Sequence, residues 1–158
     1  MRLWHKDLIP VLPRQQLISQ WRECCCIAKN IADNGTPNHM LVNKVLEYSF
    51  MDFLTYTALV LGIMKNNGYK ISQKAQDNFM DNLGKARKYF NKHADHDFAI
   101  VCYEKNTNMP IDYIFNNWHT KRYFLQCYYN LQEKFDCYGM SFDEWHKIRD
   151  LKVEKYGN

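Results

Sequence analysis

Apolar residues recur at spacings of three and four along most of this chain, and that period is typical of amphipathic helices. The first such stretch predicts a helix over residues 14–31, with its apolar positions on one buried face. Those positions are Leu17, Trp21, Cys24, Ala28 and Ile31. Pro10 and Pro13 are expected to keep the preceding segment extended, with Pro13 in the first helical turn, where its missing N–H is not needed.

A turn-rich segment separates this helix from the next two. The pattern predicts a short helix over residues 39–47 and a longer, mainly apolar helix over residues 50–67. Ser49 and Asp52 resemble a capping box in which aspartate replaces the usual glutamate, and Gly68 is suited to end the longer helix. We expect this longer helix to be the buried centre of the fold.

The second half of the chain continues with the helical period. Residues 71–92 predict an amphipathic helix, and residues 111–135 predict a helix rich in aromatic residues. Ser141 and Glu144 form a capping box for a last helix over residues 142–152, which leaves a short tail. The buried stripe of the first of these helices is expected to comprise Ala75, Phe79, Leu83, Ala86 and Phe90.

Length and composition favour one compact all-α domain over residues 1–158, with about five helices, irregular connections and an ordered N-terminal segment. A chain of 158 residues can bury a core without disulfides or metals. Hydrophobic residues at 46% and aromatic residues at 15% exclude a disordered chain. The longest apolar run, residues 53–64, is too short to cross a membrane, and the N-terminus lacks a signal-peptide pattern, so we expect a cytoplasmic protein.

Six cysteines raise the question of disulfides or metal. Residues 24–26 are three adjacent cysteines, which point in three directions on a helix, so we expect reduced thiols rather than disulfides. A zinc site that recruits His39 is the alternative, but the chain has no Cys-x-x-Cys pair. His93 and His96 could suggest metal ligands, although a polar loop leading to an extended piece near residues 98–103 is the better interpretation.

Positive charge is concentrated near the N-terminus. The net charge of the chain is +4, and the first thirty residues hold five basic residues against Asp7 and Glu23, a local net of +3. The five are Arg2, Lys6, Arg14, Arg22 and Lys29. A second basic group forms either a solvated helix face or a strip that faces DNA. Its members are Lys85, Arg87, Lys88 and Lys92.

Two blocks of residues resemble the pyrimidine-dimer DNA glycosylases of the phage endonuclease V type. The first block comprises Arg2 directly after the terminal residue, the connection Leu8-Ile-Pro-Val-Leu12, Gln15, Leu17, Trp21 and the pair Arg22-Glu23. The second block comprises Asn38-His39, Glu47-Tyr48 and the helix that ends at Gly68-Tyr69. The resemblance covers about the first seventy residues. The end of the chain, Lys155-Tyr156-Gly157, is similar to the family's tail only faintly.

The resemblance implies a bifunctional enzyme of DNA repair, a glycosylase that is also an abasic-site lyase. Its implied partner is damaged double-stranded DNA, with no cofactor and no membrane, and we expect a nucleoid-associated monomer. The implied nucleophile is the free N-terminal amine, which adds to C1′ and forms an imine. In the phage-type enzymes a small hydroxyl residue is exposed after methionine removal. Here bulky Arg2 is expected to retain Met1, which becomes the candidate nucleophile.

Elementary chemistry supports an α-amine in this role. Its unperturbed pKa is about 7.7 to 8.0, against about 10.4 for lysine, so a far larger fraction is neutral and nucleophilic at pH 7. Glu23 is implied as the acid that stabilises the sugar cation. Glu23 lies about 160 to 200° around the helix from Trp21, so spacing alone predicts a solvated glutamate that points away from the core.

The residues expected to bind DNA are mainly basic, and each has a structural alternative. They are Arg2, Arg14, Arg22, Lys29, His39, Lys121, Arg122 and Tyr156. Arg22 is otherwise a surface arginine, and His39 otherwise has a structural or capping role. The family often has a further basic residue where this chain has Cys26, and Lys29 is positioned to substitute for it. The mix of basic and aromatic residues over 120–123 fits either a core or a strip that binds a DNA strand.

Two other functions remain compatible with the sequence. The first is a non-catalytic DNA-binding helical domain, and the second is a helical interaction protein without a nucleic-acid role. If the chain is an enzyme, cyclobutane dimers, oxidised bases and abasic sites all fit one amine and one carboxylate.

Overall fold

The structure, a computed structural model, describes residues 2–92 and 111–157, and within these ranges every regular element is a helix. The described residues contain six α-helices: α1 (Arg14–Asn34), α2 (Met40–Leu46), α3 (Phe50–Asn66), α4 (Gln73–Ala86), α5 (Lys121–Asp136) and α6 (Phe142–Tyr156). Three short 3₁₀ helices cover Lys6–Val11, Arg87–Tyr89 and Ile111–Tyr113. The all-α prediction is confirmed. His93, His96, Cys102 and the extended piece expected near residues 98–103 lie outside the described residues.

Local signals define most of the helix ends. The capping boxes predicted from Ser49 and Ser141 are both formed, because each hydroxyl accepts a hydrogen bond from the N–H three residues later. Helix α1 is followed by Gly35 with φ of 70°. A Cβ at Gly35 would lie 2.9 Å from Cε1 of Tyr89, so glycine meets both a conformational and a steric requirement there.

Helices α1, α3 and α4 form the main core. Helix α1 packs along α4 and against α3, and the apolar stripes predicted for α1 and α4 are largely buried as expected, although Ala75 is only half-buried. Aromatic contacts join the three helices, since Phe79 lies 5.4 Å from Trp21 and 6.1 Å from Phe53 between ring centroids. This core fixes the orientation of α1 and therefore of every side chain that α1 carries.

Helices α5 and α6 form a second layer, an antiparallel pair packed through aromatic residues. Trp145 of α6 stacks on Phe135 of α5 at 5.4 Å and lies 5.1 Å from Tyr128. Helix α6 also contacts the 3₁₀ helix Lys6–Val11, so the N-terminal segment lies between the two layers.

Buried Asp52 joins the second half of the chain to α3. One carboxylate oxygen accepts hydrogen bonds from the N–H and hydroxyl of Ser49, and the other accepts the N–H of Phe115 at 2.7 Å. A single capping residue thus also anchors the segment before α5.

The structure corrects three predictions of secondary structure. The segment before α1 is a 3₁₀ helix that contains Pro10 rather than an extended segment, and Pro13 is the N-cap residue of α1 rather than part of its first turn. The helix predicted from residue 111 begins only at Lys121, because the preceding segment turns at Phe115, which has φ of 49° and donates to Asp52. Helix α6 continues through Tyr156, so this tyrosine is helical and not part of a tail.

The cysteines behave as predicted for thiols. Cys24 is buried, Cys25 is half-buried and Cys26 is exposed, and all five described cysteines are free. Within the described ranges no group of three or more His, Cys, Asp or Glu side chains could hold a metal ion. In the same ranges, none of the helices combines the length and the apolar character that a membrane crossing needs.

Candidate active site

The N-terminal segment is held in the interior by hydrogen bonds from three helices. The N–H of Trp4 donates to Oε1 of Gln20 on α1 at 2.8 Å, and its carbonyl accepts the Tyr56 hydroxyl of α3 at 2.8 Å. The Tyr123 hydroxyl of α5 donates to the Leu3 carbonyl. Leu3 and Trp4 are buried, and Arg2 is half-exposed. The segment is therefore fixed in position up to the surface at Arg2.

His119 holds the next two residues. Its carbonyl accepts Nε2–H of His5 at 2.8 Å, and its Nδ1 accepts the N–H of Lys6 at 2.9 Å. These partners require neutral rings, with the proton of each on Nε2. Burial lowers the pKa of His119 well below its ordinary value and also lowers that of His5, in agreement with the hydrogen bonds. The Lys6 ammonium donates to the carbonyls of Asp112 and Ile114.

A polar stripe on α1 includes Gln20, the residue that binds this segment. Gln16, Gln20 and Glu23 are separated by four and three residues, so they lie on one side of the helix. Each has a buried side-chain atom with no hydrogen-bond partner in the described part of the chain, namely Oε1, Nε2 and Oε2 respectively. A buried polar atom without a partner costs about 1 to 3 kcal/mol, and a group of them on one stripe suggests a functional requirement.

Glu23 does not point into solvent as its spacing from Trp21 predicted. Its side chain is half-buried and Oε2 is fully enclosed. The expectation failed because it treated the apolar stripe as the only buried face of α1. The N-terminal segment covers a second face, at Gln20.

Arg2 lines a cavity of about 610 Å³ between α2 and α5. Its guanidinium lies 5.5 Å from the Trp4 ring and adjoins the Cys127 thiol. The cavity is lined by Arg2, Met40, Leu41, Asn43, Lys44, Glu47, Trp118, Tyr123 and Gln126. Cations, amides and aromatic rings thus meet beside the point where the N-terminal segment reaches the surface.

Arg14 and Arg22 lie on another side of α1, in a groove of about 980 Å³ that reaches the α3–α4 connection. The Arg14 guanidinium lies 5.2 Å from the Tyr69 ring, and Lys70 adds a third cation. None of the described residues that line this groove is acidic. Arg22 and Glu23 are consecutive, so they point about 100° apart on the helix.

The remaining predicted DNA-binding residues are spread over the surface. Lys29 is exposed and forms an ion pair with Asp33. His39 occupies the N-cap position of α2, where its carbonyl accepts the Asn43 N–H and its side chain makes no cap hydrogen bond. Lys121 lies 5.2 Å from the Tyr156 ring, which brings these two predicted residues together. Arg122 is exposed on the first turn of α5. Met1 lies outside the described residues.

Several residues of this site were not predicted from the sequence. Gln16 and Gln20 could have been found from their helical spacing to Glu23, a polar stripe beside the apolar one. His119 and Tyr123 had no such signal, because they are more than one hundred residues from the segment that they hold.

The fold and this site define a class of protein: a helical domain that surrounds its own N-terminal segment, with a buried carboxylate beside it and cationic, aromatic surfaces around it. Residues 1–77 match the family model described as pyrimidine dimer DNA glycosylase. Over that stretch the chain is similar to this family of DNA repair glycosylases, as the resemblance indicated. Comparisons with curated proteins and with solved structures found no match.

Proposed function

We propose that this protein is a DNA glycosylase with abasic-site lyase activity, in which the α-amine of Met1 is the nucleophile and Glu23 assists it. The substrate is double-stranded DNA with a pyrimidine dimer or a related lesion. The observation that carries the proposal is the enclosed, unpartnered Oε2 of Glu23 on the helix face where the N-terminal segment is bound. An unpaired carboxylate oxygen at this place can interact with the cation that forms during the reaction.

Chain geometry allows the amine to reach Glu23. Trp4 is three residue steps from Met1, a span of at most about 11 Å. Glu23 lies one helical turn beyond Gln20, a rise of about 4.5 Å. The residues after Trp4 lead to the start of α1, and Arg2, before it, lies on the side of the other end of α1. The position of Arg2 beside α2, which follows that end of α1, supports a course of the segment toward Glu23.

The proposed reaction begins with attack of the neutral amine on C1′. The glycosidic bond breaks, its electron pair leaves with the base, and the base takes up a proton. Loss of a proton from nitrogen and opening of the C1′–O4′ bond, with protonation of O4′, give the imine. Removal of a proton from C2′ then expels the 3′ phosphate. Glu23 stabilises the positive charge at C1′ and assists these proton transfers.

The remaining basic residues are assigned to phosphate binding. Arg14, Arg22 and Lys70 share a groove without acidic lining residues, which suits a phosphate backbone. Lys121 and Tyr156 form a second pair of cation and ring, and Lys29, His39 and Arg122 are exposed. Contacts with phosphates help to offset the cost of kinking the duplex or extruding a nucleotide.

Borohydride trapping of the imine tests the proposal. Glu23→Gln should lower the single-turnover rate of trapping on abasic duplex DNA by at least about 10²-fold, the lower range for a lost general acid or base. Its matched control is Glu154→Gln, a change of the same charge at an exposed position of α6, which should trap at the wild-type rate. Equal trapping by the two variants would contradict the role of Glu23.

The alternative is a non-catalytic DNA-binding domain, which the acid-free groove of Arg14 and Arg22 also fits. It predicts DNA affinity that falls steeply with salt, no borohydride adduct, and no effect of Glu23→Gln. A protein without a nucleic-acid role would show neither an adduct nor salt-sensitive DNA binding.

A further inference from the structure

The side chain of Gln20, three residues before Glu23 in the sequence of α1, contacts the N-terminal segment with one end of its amide, and its other end is buried near the Cys24 thiol. The Trp4 N–H needs an acceptor, which assigns the amide oxygen to the end at 2.8 Å and leaves Nε2 as the free end. Gln20 is 1% exposed, so this NH₂ group is buried. Nε2 adjoins the Cys24 thiol, which is only a weak acceptor, and has no hydrogen bond of normal geometry in the described ranges.

Glu23 offers the complementary atom. Its Oε2 is an enclosed acceptor without a described partner, while Nε2 of Gln20 is an enclosed donor in the same situation. Residues three positions apart on a helix have Cβ atoms about 5 to 6 Å apart, a separation that a side-chain rotation or one bridging water spans. Because the Gln20 oxygen accepts the Trp4 N–H, the Gln20 amide is polarised and its NH₂ group becomes a stronger donor.

We propose that Gln20 is a positioning residue that couples the N-terminal segment to Glu23. Its oxygen sets the place of Trp4, and its NH₂ group orients the carboxylate and stabilises it in the charged form. One side chain thereby links the backbone at Trp4 to the proposed acid. This inference rests on the proposed function, because it assigns Gln20 a part in the reaction of Met1 and Glu23.

The groups around this pair keep one protonation state near neutral pH, so the pH profile can report on Glu23 and the amine. On α1, burial raises the pKa of Cys24 to about 12. Burial also raises the pKa of Tyr56 on α3 and those of Tyr123 and Cys127 on α5. In the N-terminal segment, burial lowers the pKa of His5 as it does that of His119.

Gln20→Glu is the sharpest test. It keeps an acceptor for the Trp4 N–H but replaces the NH₂ group with a second carboxylate oxygen facing Glu23. Loss of the donor and the added negative charge both disfavour ionised Glu23. In single-turnover trapping at saturating abasic DNA, the acidic limb of the plot of trapping rate against pH should shift to higher pH by about one unit. Gln16→Glu, two turns from Glu23 on the same stripe, should shift the acidic limb by a smaller amount.

A second comparison distinguishes positioning from general damage to the fold. In a Glu23→Gln background, Gln20→Glu should leave the trapping rate and its acidic limb unchanged, because the carboxylate on which Gln20 acts is gone. If Gln20→Glu does not fold, as judged by circular dichroism, Gln20→Met replaces it and should give the same upward shift. If a folded Gln20 variant has the same acidic limb as the wild-type protein, this inference is overturned. If the wild-type protein forms no adduct at all, the proposed function is overturned instead.

Discussion

His5 and His119 form the connection between the N-terminal segment and the second half of the chain, and both must stay neutral to do so. In each ring Nδ1 accepts a backbone N–H, from Asp7 in His5 and from Lys6 in His119. Protonation would remove these acceptors and place positive charge near the Lys6 ammonium. The two rings are stacked at 5.0 Å, so a charge on one also disfavours a charge on the other.

This arrangement predicts loss of stability at mildly acidic pH. Burial lowers the pKa of both histidines in the folded state, so the unfolded chain binds more protons below about pH 6.5. The free energy of unfolding should be constant just above about pH 6.5. At lower pH it should decrease, by up to about 1.4 kcal/mol per pH unit for each histidine. Urea unfolding between pH 7.5 and 5.5 measures this slope.

A matched pair of substitutions tests whether the buried histidines cause this pH dependence of the free energy of unfolding. His119→Gln removes one buried ring and should reduce the pH dependence, whereas His39→Gln changes an exposed histidine and should leave it unaltered. The same slope in both variants would show that the buried histidines do not control it.

At the scale of elements, the two capping boxes differ in what else they hold. Asp52 and Glu144 occupy the same position in α3 and α6, but Asp52 is buried and also accepts the Phe115 N–H. Asp52→Ala should therefore destabilise the protein by about 3 kcal/mol, since a buried N–H loses a charged partner. Glu144→Ala at its exposed cap should cost about 1 kcal/mol or less. Equal losses in urea unfolding would contradict the anchoring role of Asp52.

Helix positions were predictable wherever local signals define them. The apolar period located α1 and α4, and the serines at residues 49 and 141 fixed the starts of α3 and α6. The start of α5 was not predictable, because residues 111–120 have helical composition but are held in turns by contacts with Asp52 and Lys6, which are distant in sequence. Local period cannot report such contacts.

The candidate site was predictable only in part. The resemblance to the family selected Arg22 and Glu23, but the helical spacing indicated a solvated glutamate. The enclosure of Glu23 Oε2 is a tertiary feature. So is the position of the N-terminal segment, which is held by Tyr56 and Tyr123 from helices far along the chain.

Across the whole molecule, two helical layers enclose a short N-terminal segment rather than an apolar core alone. Leu3 and Trp4 are buried, yet their backbone groups are hydrogen-bonded by α1, α3 and α5. Fixing this segment in one conformation costs conformational entropy, and a functional role for the segment would explain why it is ordered. The central claim is that the amine at the start of this segment does the chemistry.

The location of the trapped sugar tests that claim most directly. The wild-type protein is reacted with abasic duplex DNA, the imine is reduced with borohydride, and peptide mass spectrometry identifies the residue that carries the deoxyribose remnant. The account predicts the modification on the α-nitrogen of Met1, and its loss when that nitrogen is acetylated beforehand. A remnant on a lysine side chain, with undiminished trapping after acetylation of the terminus, would contradict it.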